Sequence, residues 1–373
     1  MTDPREQFLI WMKRKIASVA KQDVVNLASS GVKTALAEQW QIDVLTNQSA
    51  EIVRRAAESH QFGLQSLKQA VRTAFSVPAD REIVITAGAS GGIRLVCELL
   101  LAGQTGAEVL VETPVYEPLR AIPERFGAKI VPMDRRNFAT LARSVTDRTA
   151  AVFLTNLHNP TGQWLTYDAL RTACEALNAV GSRAAVVVDE TFLDLGPQPA
   201  TTAAVIDPRI LTISSLSKSH GLPSLRCGWV TADPAMLPRI VEDAVLFQNI
   251  GYHLGEVLGA MAVEQIDEFR NAARNHAARN HAIISQWLRE MAAAGLIEPV
   301  EQPSGCVVFP RVITGGSTTA LGETLETRFG VLIAPGRFFG DAYDNHIRIG
   351  FGGDHEQLTR GLSRLAEGLL ALR

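Results

Sequence analysis

The middle of the chain alternates short apolar runs with segments of helical length, and this alternation strongly constrains the fold. Between about residues 80 and 235 the runs are rich in valine and isoleucine and are apolar at consecutive positions. Strands of that composition are typically buried on both faces, as in the parallel sheets of α/β proteins. The predicted strands are EIVITAG (82–88), EVLVET (108–113), KIVPM (129–133), AAVFLTN (150–156), AAVVVDE (184–190), RILTISS (209–215) and CGWVTAD (227–233). We therefore predict an α/β fold with a mainly parallel sheet and helices on both of its faces.

A different pattern follows the last of these strands and predicts a second, smaller lobe. From about Glu268 to Met291 apolar residues recur at helical spacing, and the segment is long enough to bridge two lobes. Helical stretches separate three later apolar runs, CVVFPRV (306–312), VLIAPG (331–336) and HIRIGFG (346–352). Because 373 residues exceed the usual size of one domain, we expect two. The predicted large domain is 41–275, and the predicted small α+β domain combines 1–40 with 276–373.

The charge balance argues against nucleic acid and anionic membranes as partners. The 36 basic and 39 acidic residues are spread along the chain without blocks of one sign. The four cysteines form no C-x-x-C pair, which disfavours a zinc site and a disulfide framework. A transmembrane helix needs about 18 or more consecutive apolar residues, and the sequence has no such span. We therefore expect a cytoplasmic protein that acts on small molecules and has no metal site.

Candidate functional residues follow the predicted strands, where ligands bind in open α/β sheets. The stretch TAGASGG (86–92) ends a strand and begins a helix, so the backbone N–H groups of Ala89 and Ser90 are suited to hold a phosphate. The stretch lacks both the P-loop lysine and the G-x-G-x-x-G spacing of dinucleotide sites. The alternative interpretation is a glycine-rich turn in which Ser90 is the helix N-cap.

Three further strand-end residues are ambiguous individually. Asp189 ends the apolar run AAVVVD, where a buried carboxylate requires a cationic partner, although an aspartate capping the next turn is the alternative. Asn159 lies in NLHNPTG (156–162), which is a turn signature and also typical of an ordinary loop. Tyr116 follows a strand in TPVYEP and is either a packing residue or a platform on which a ligand ring stacks.

The stretch SSLSKSHGLPSLRCGWV (214–230) contains Lys218 and, eight positions later, Arg226. A lysine in a serine-rich loop is usually a solvated charge. It becomes a nucleophile only when its amine is deprotonated, which burial and nearby positive charge favour. An anion site, a carboxylate, an aromatic ring and an asparagine turn at other strand ends favour the reactive amine.

This combination resembles the fold type I enzymes that depend on pyridoxal 5'-phosphate (PLP), and within them the class I/II aminotransferase family. SLSKSHGLPSLRCG (215–228) is similar to the family signature S-x-S-K-x-x-x-[LIP]-x-G-x-R-x-G, except that Ser224 stands where glycine is frequent. The likeness extends from about Asn26 to the end. It implies a three-layer αβα fold with a mainly parallel seven-stranded sheet, a small α+β domain made from both chain ends, and PLP as the cofactor.

The same resemblance implies a role for each candidate around the cofactor. Lys218 would form a Schiff base with PLP and move the substrate proton, and Asp189 would keep the pyridine nitrogen protonated. Asn159 would donate to the phenolic oxygen, while Tyr116 would stack on the ring and complete the catalytic set. The residues that would bind the phosphate are Gly88, Ala89, Ser90, Ser215 and Arg226.

On the substrate side the resemblance implies three contacts. Arg348 in HIRIGFG would hold the α-carboxylate in a bidentate fork, although an arginine paired with a surface acid is the alternative. Gly31 would belong to the loop that closes over the substrate, and Asn159 would also border it. Tyr252 and His253 are candidates for side-chain contact or for packing at a helix start.

Two hydroxyl groups that the family usually has are missing. The family pattern D-x-x-Y reads DETF here, so Phe192 replaces a tyrosine that donates to the phenolic oxygen. The tyrosine that normally reaches the phosphate of the neighbouring subunit would fall near Glu58, and His60 or Gln61 is its candidate replacement. A solvated helix surface is the alternative for either residue.

We therefore predict a PLP-dependent aminotransferase that moves an amino group between an L-amino acid and a 2-oxo acid through pyridoxamine phosphate. Another reaction at the α-carbon, by a decarboxylase, a β/γ-lyase or a cyclase of secondary metabolism, is the alternative because PLP stabilises several carbanions. The resemblance further implies a homodimer with shared active sites. A non-catalytic regulatory module of the same fold is disfavoured because no basic face is evident.

Overall fold

The computed structural model describes residues 7–19, 23–57, 63–197, 201–236, 238, 253–301, 303–313 and 316–372. The helices are α1 (Phe8–Val19), α2 (Ala35–Asn47), α3 (Ser49–Ala56), α4 (Gln65–Ala74), α5 (Gly88–Leu101), α6 (Pro118–Arg125), α7 (Leu141–Ser144), α8 (Tyr167–Ala179), α9 (His253–Val263), α10 (Ile266–Ala293), α11 (Thr318–Phe329) and α12 (His355–Ala371). The strands are β1 (Val25–Asn26), β2 (Glu82–Ala87), β3 (Glu108–Thr113), β4 (Lys129–Asp134), β5 (Thr149–Thr155), β6 (Ala185–Asp189), β7 (Ile210–Ser215), β8 (Cys227–Ala232), β9 (Val307–Val308), β10 (Val331–Leu332), β11 (Ala334–Pro335) and β12 (Ile347–Gly350).

The seven predicted strands of the large lobe are all present and form one sheet. Its order is β2-β8-β7-β6-β5-β3-β4, and β8 is antiparallel to both of its neighbours. All other neighbouring pairs are parallel. The prediction of a mainly parallel seven-stranded sheet is confirmed, and the parallel strands bring their carboxyl ends to the same edge of the sheet.

The two faces of the sheet are covered by different helices, as the doubly buried strands require. Val187 of β6 packs with Ile93 of α5 on one face. Its neighbours Val186 and Val188 pack with Leu170 of α8 on the other face. Successive side chains of a strand point to opposite faces, so an all-apolar strand needs a helical layer on each side. The predicted three-layer αβα arrangement is confirmed.

The long helix α10 joins the two lobes, as its length predicted. Near its start, Phe269 meets Trp40 edge to face with ring centroids 5.4 Å apart, in the core of the large lobe. Near its end, Trp287 donates from Nε1 to the Leu362 carbonyl at 2.9 Å, in the core of the small lobe. The domain limits proposed from the sequence, 41–275 and 1–40 with 276–373, stay a prediction.

Both chain ends contribute to the small lobe. β1 pairs in parallel with β10, and β11, β12 and β9 form a three-stranded antiparallel sheet. The run predicted at 306–312 forms a strand only at Val307–Val308 and then an isolated bridge between Arg311 and His346. Pro310 interrupts this run, because proline lacks the N–H group that a sheet ladder needs.

None of the helices described here combines the length and the apolar character required to cross a bilayer. Within the same described residues, no group of three or more histidine, cysteine, aspartate or glutamate side chains is arranged to hold a metal ion. Each of the four cysteines is buried and free of disulfide bonds.

Candidate active site

A pocket of about 580 Å³ opens at the carboxyl edge of the large sheet. It brings together most of the residues that the sequence singled out, although they come from separate strand ends. The predicted residues that line it are Ala89, Ser90, Tyr116, Asn159, Asp189, Ser215, Lys218 and Arg226, together with Phe192. The other three predicted residues are neighbours of this lining. Arg348 donates to Asn159, and a β-carbon built on Gly31 or on Gly88 would lie 3.1 Å from Lys218 or 2.7 Å from Arg226 respectively.

Lys218 follows β7 and borders the pocket, with its amine enclosed by protein. Nζ donates a hydrogen bond to the Ser30 carbonyl at 2.7 Å. Burial lowers the pKa of the amine to about 8, and the positive charges of Arg348 and Arg226 act in the same direction, while Asp189 opposes them. The neutral, nucleophilic form of this amine is therefore populated far more at neutral pH than in a solvated lysine.

Asp189 ends β6 as a buried carboxyl group on the pocket wall. Its Oδ1 accepts from the Thr191 backbone N–H at 2.9 Å and from the Thr191 hydroxyl at 2.5 Å. Burial raises the pKa of Asp189, and these hydrogen bonds together with Lys218 partly offset the effect. Oδ1 caps the following turn while the group also lines the pocket, and the cationic partner expected from the sequence stays a prediction. A cationic group in the pocket would lower the cost of burying the carboxylate.

The end of β2 and the start of α5 form a backbone cradle beside Arg226. Gly88 begins α5 with φ +71°, and a β-carbon there would lie 2.7 Å from Arg226 Nη2. Arg226 is exposed and donates from Nη2 to the Ala87 carbonyl at 3.0 Å. The N-cap of α5 is Ala87, so the alternative in which Ser90 is the N-cap is wrong. Free N–H groups at a helix start and a guanidinium group together suit a phosphate.

Arg348 on β12 is almost completely buried, with 1% of its surface exposed. It donates from Nη1 to Asn159 Oδ1 at 3.0 Å and from Nη2 to the Ala28 carbonyl at 2.5 Å. Both acceptors are uncharged, and among the described residues no carboxylate lies within ion-pair distance of it. The alternative of a strand arginine paired with a surface acid is therefore wrong within the described part of the chain. Burial lowers the pKa of Arg348 to about 10, which reflects the cost of a buried cation without an anion.

The loop before α2 lies against the lysine. Gly31 has φ +132°, and a β-carbon on it would lie 3.1 Å from Lys218 Cδ. The Val32 backbone N–H donates to the Lys218 carbonyl at 2.9 Å, while Lys33 is exposed. A side chain at position 31 would therefore meet both an unfavourable backbone conformation and the lysine.

Two aromatic residues flank the pocket. Tyr116 lines it and meets the ring of Phe8 edge to face at 6.5 Å. Phe192, which comes shortly after β6, also lines the pocket and packs into the core of the small lobe. The pocket wall is therefore apolar at the position where the family pattern has a tyrosine.

Several candidates from the sequence lie outside the described residues. Glu58, His60 and Gln61 are among them, and so is Tyr252. His253 begins α9. The proposed replacements for the missing interface tyrosine and the side-chain contacts of this region stay predictions.

Sequence reasoning missed a buried ion pair behind Asn159. Glu112, the penultimate residue of β3, is fully buried, with Oε2 at 3.0 Å from Nη1 of the buried Arg135. Glu112 Oε1 accepts from both the backbone N–H and the hydroxyl of Thr155 at 2.6 Å, and Thr155 Oγ1 accepts in turn from the Asn159 backbone N–H at 3.3 Å. Burial raises the pKa of Glu112, while Arg135 opposes the shift. The available signal was a glutamate inside the apolar run EVLVET.

A model of the aminotransferase class I and II family matches residues 22–365. The chain belongs to this family. The match covers the sheet, the pocket and the small lobe, so the resemblance inferred from the sequence is confirmed. PLP is accordingly the cofactor of this family member, and the fold is the one predicted.

Similar proteins include enzymes with different reactions. Capreomycidine synthase of Streptomyces vinaceus is 33% identical over 273 residues, which are 70% of this chain and 68% of that protein. Arginine–pyruvate transaminase of Pseudomonas aeruginosa is 28% identical over 331 residues, which are 82% and 80% of the two chains. A solved structure of the PLP-dependent cyclase OrfR superposes with a TM-score of 0.83 at 26% identity, covering 99% of each chain. Family membership therefore does not by itself decide the reaction.

The residues of the pocket fit PLP. A buried amine with a lowered pKa suits an aldehyde. A buried carboxyl group to which no cationic side chain of the described residues is bonded suits a protonated ring nitrogen. The glycine cradle and Arg226 lie at one end of the pocket, where a β-carbon on Gly88 would fill the space beside the guanidinium group. We infer that Lys218, Asp189 and the Gly88 cradle would hold the aldehyde, the ring nitrogen and the phosphate respectively.

Proposed function

We propose that this family member is an aminotransferase that moves the amino group of an L-amino acid to a 2-oxo acid. The observation that carries the proposal is Arg348, a buried guanidinium group whose described partners are uncharged, lying beside Lys218. A substrate α-carboxylate would supply the missing anion and form charge-assisted hydrogen bonds with the guanidinium fork. Both the amino acid and the 2-oxo acid of a transamination carry that carboxylate.

PLP, when bound, supplies an aldehyde for the substrate amino group and a ring that accepts electrons as the Cα proton leaves. Arg348 and Asn159 would orient the substrate carboxylate, since Asn159 already accepts from Nη1 at 3.0 Å. The Lys218 amine would take the Cα proton and hold it for return, because its pKa of about 8 keeps it a competent base near neutral pH. Asp189 would keep the ring nitrogen protonated, since it is the one carboxylate among the described residues that line the pocket.

The test is a product balance with purified holoenzyme. L-Amino acids, with L-arginine among them because a similar transaminase bears that name, are each mixed with pyruvate or 2-oxoglutarate. We expect one donor to disappear in step with the appearance of L-alanine or L-glutamate. Release of carbon dioxide, ammonia or a cyclic product without a new amino acid would refute amino-group transfer.

A second candidate is another α-carbon reaction, such as elimination, cyclisation or decarboxylation. Phe192 favours it, because the pocket lacks the hydroxyl that strengthens the electron sink in usual family members. The similarity to capreomycidine synthase and to the cyclase OrfR favours it as well. This candidate predicts turnover of the amino acid in the complete absence of a 2-oxo acid, which the product balance measures directly.

Replacing Phe192 by tyrosine tests the missing hydrogen bond. A phenol at this position would donate to the anionic oxygen of the cofactor, and a hydrogen bond to a charged group contributes about 1.5–3 kcal/mol. We expect the pH midpoint of the absorbance change of the bound cofactor to fall by about 1–2 units. The matched control is Phe126→Tyr, at a partly buried ring outside the pocket, which should leave the midpoint unchanged. An unchanged midpoint in Phe192→Tyr would show that residue 192 does not face that oxygen.

The homodimer expected from the sequence is also part of this proposal. An apolar hollow of about 930 Å³ lies between α2, α9 and the segment that ends at Arg226, and Leu45 and Leu254 are exposed in it. Covering this hollow with a second copy would bury apolar surface and enclose the phosphate end of the pocket. Light scattering of the holoenzyme should give twice the mass of the chain, and a monomer that is fully active would contradict the shared site.

A further inference from the structure

The first described helix reaches the active site, although the sequence places it far from every motif. Phe8 begins α1, and its side chain is buried with 2% of its surface exposed. The Phe8 ring centroid lies 5.1 Å from Arg348 Cζ and 6.5 Å from the Tyr116 ring centroid. Phe8 therefore touches the two residues proposed for the substrate carboxylate and for the cofactor ring.

Phe8 and Phe339 together form an aromatic support for the guanidinium group. The Phe339 centroid also lies 5.1 Å from Arg348 Cζ, and the two ring centroids are 5.4 Å apart. Rings on opposite sides of the guanidinium group would be much farther from each other, so these distances place both rings on the same side. Nη1 of the same group bonds to Asn159, which lines the pocket.

This aromatic support stabilises the guanidinium group, because no carboxylate among the described residues pairs with Arg348 and fixes its orientation. Aromatic rings within about 6 Å attract a guanidinium cation through the ring quadrupole, and they do so more strongly when water is excluded. The rings also restrict the rotation of the side chain, which lowers the entropy that substrate binding must remove. The fork would thus be oriented before the carboxylate arrives.

α1 is itself fixed next to the pocket. Glu117, the residue after Tyr116, accepts hydrogen bonds from the backbone N–H groups at Phe8 and Leu9, the latter at 3.4 Å. A carboxylate at a helix N-terminus is stabilised by the helix dipole. Trp11, in the next turn of α1, packs against Phe8 and Phe338, with ring centroids 6.1 and 5.0 Å away.

We propose that Phe8 is a positioning residue that holds Arg348 in the orientation that receives the substrate α-carboxylate. This inference rests on the proposed role of Arg348. It adds α1 to the substrate site. It also predicts that replacing Phe8 slows the reaction of ligands that carry a carboxylate and does not slow that of ligands that lack one.

Two small probes separate these effects without knowledge of the natural substrate. Aminooxyacetate and O-methylhydroxylamine both react with the aldehyde carbon of bound PLP, but only aminooxyacetate carries a carboxylate. Their rate constants with holoenzyme are measured from the change in cofactor absorbance. We expect Phe8→Leu to lower the rate constant of aminooxyacetate about tenfold and to change that of O-methylhydroxylamine less than about twofold. Phe8→Met, which replaces the ring by an unbranched side chain about as large as leucine, should show the same selective loss.

Val19→Ala is the matched control, because it removes buried side-chain volume from the other end of α1, eleven positions from Phe8. It should leave both rate constants near those of the unmodified enzyme. Equal losses for both probes, or the same loss in Val19→Ala, would overturn the role of Phe8 and leave that of Arg348 standing. If the unmodified enzyme shows no preference for aminooxyacetate, the carboxylate role of Arg348 fails, and the inference about Phe8 fails with it.

Discussion

Replacing Lys218 by alanine is expected to lower kcat by about 10²–10⁴-fold through the loss of proton transfer alone. The structure encloses this amine beside Ser30, Asp189 and Arg348, and burial brings its pKa to about 8. An alanine leaves no group that takes the Cα proton, while Arg348 and the phosphate cradle remain in place. Steady-state kinetics with the active amino acid found in the product balance measures the loss.

Lys129→Ala is the matched control for Lys218→Ala. Lys129 lies on β4 with 68% of its side-chain surface exposed, and its partner Glu108 is also bonded to Arg148. This variant should keep its activity within about twofold, since exposed ion pairs contribute little. Added methylamine should restore part of the activity of Lys218→Ala and none in the control. Activity of Lys218→Ala above one-tenth of the unmodified enzyme would contradict the assignment of the proton to this residue.

The second large effect is expected for Asp189→Asn. Asparagine has the same size and its oxygen still accepts from Thr191, but it carries no negative charge for the ring nitrogen. Breaking a buried ion pair costs about 3–5 kcal/mol, which corresponds to a loss in kcat of about 10²–10⁴-fold. Asp134→Asn is the matched control, because Asp134 also ends a strand of the large sheet but is exposed. It should leave kcat unchanged.

The stability of the cofactor-free protein separates catalysis from folding in Asp189→Asn. Because burial raises the pKa of Asp189 in the folded state, ionisation of this group opposes folding at pH values above its unfolded pKa. Removing the charge should therefore raise the free energy of unfolding at neutral pH, as chemical denaturation would report. A variant that loses both stability and activity would instead indicate that Asp189 has a mainly structural role.

The sequence predicted the large sheet and most of the pocket because both depend on local patterns. Doubly buried strands require consecutive apolar residues, and a parallel sheet places the residue after each strand at one edge. Asn159, Asp189 and Lys218 could be placed in one site on that basis. Arg348 required the family resemblance, since nothing local relates it to Asn159, from which it is 189 positions distant.

The features that were missed depend on packing between distant elements. Phe8 lies in an amphipathic helix whose pattern predicts burial but not the partner, and its contact with Arg348 joins opposite ends of the chain. The link from Glu112 through Thr155 to Asn159 needs the register of β3 against β5. The short strands of the small lobe were predicted at the right places, but the strand at 306–312 was predicted too long, because Pro310 interrupts it.

We propose that Lys218 is the amine that holds the cofactor and moves the proton. Borohydride reduction of the holoenzyme followed by peptide mass spectrometry locates the lysine to which the cofactor becomes permanently attached. We expect the label on Lys218 alone and no label in Lys218→Ala. A label on any other lysine of the unmodified enzyme, or a label that persists in Lys218→Ala, would contradict it.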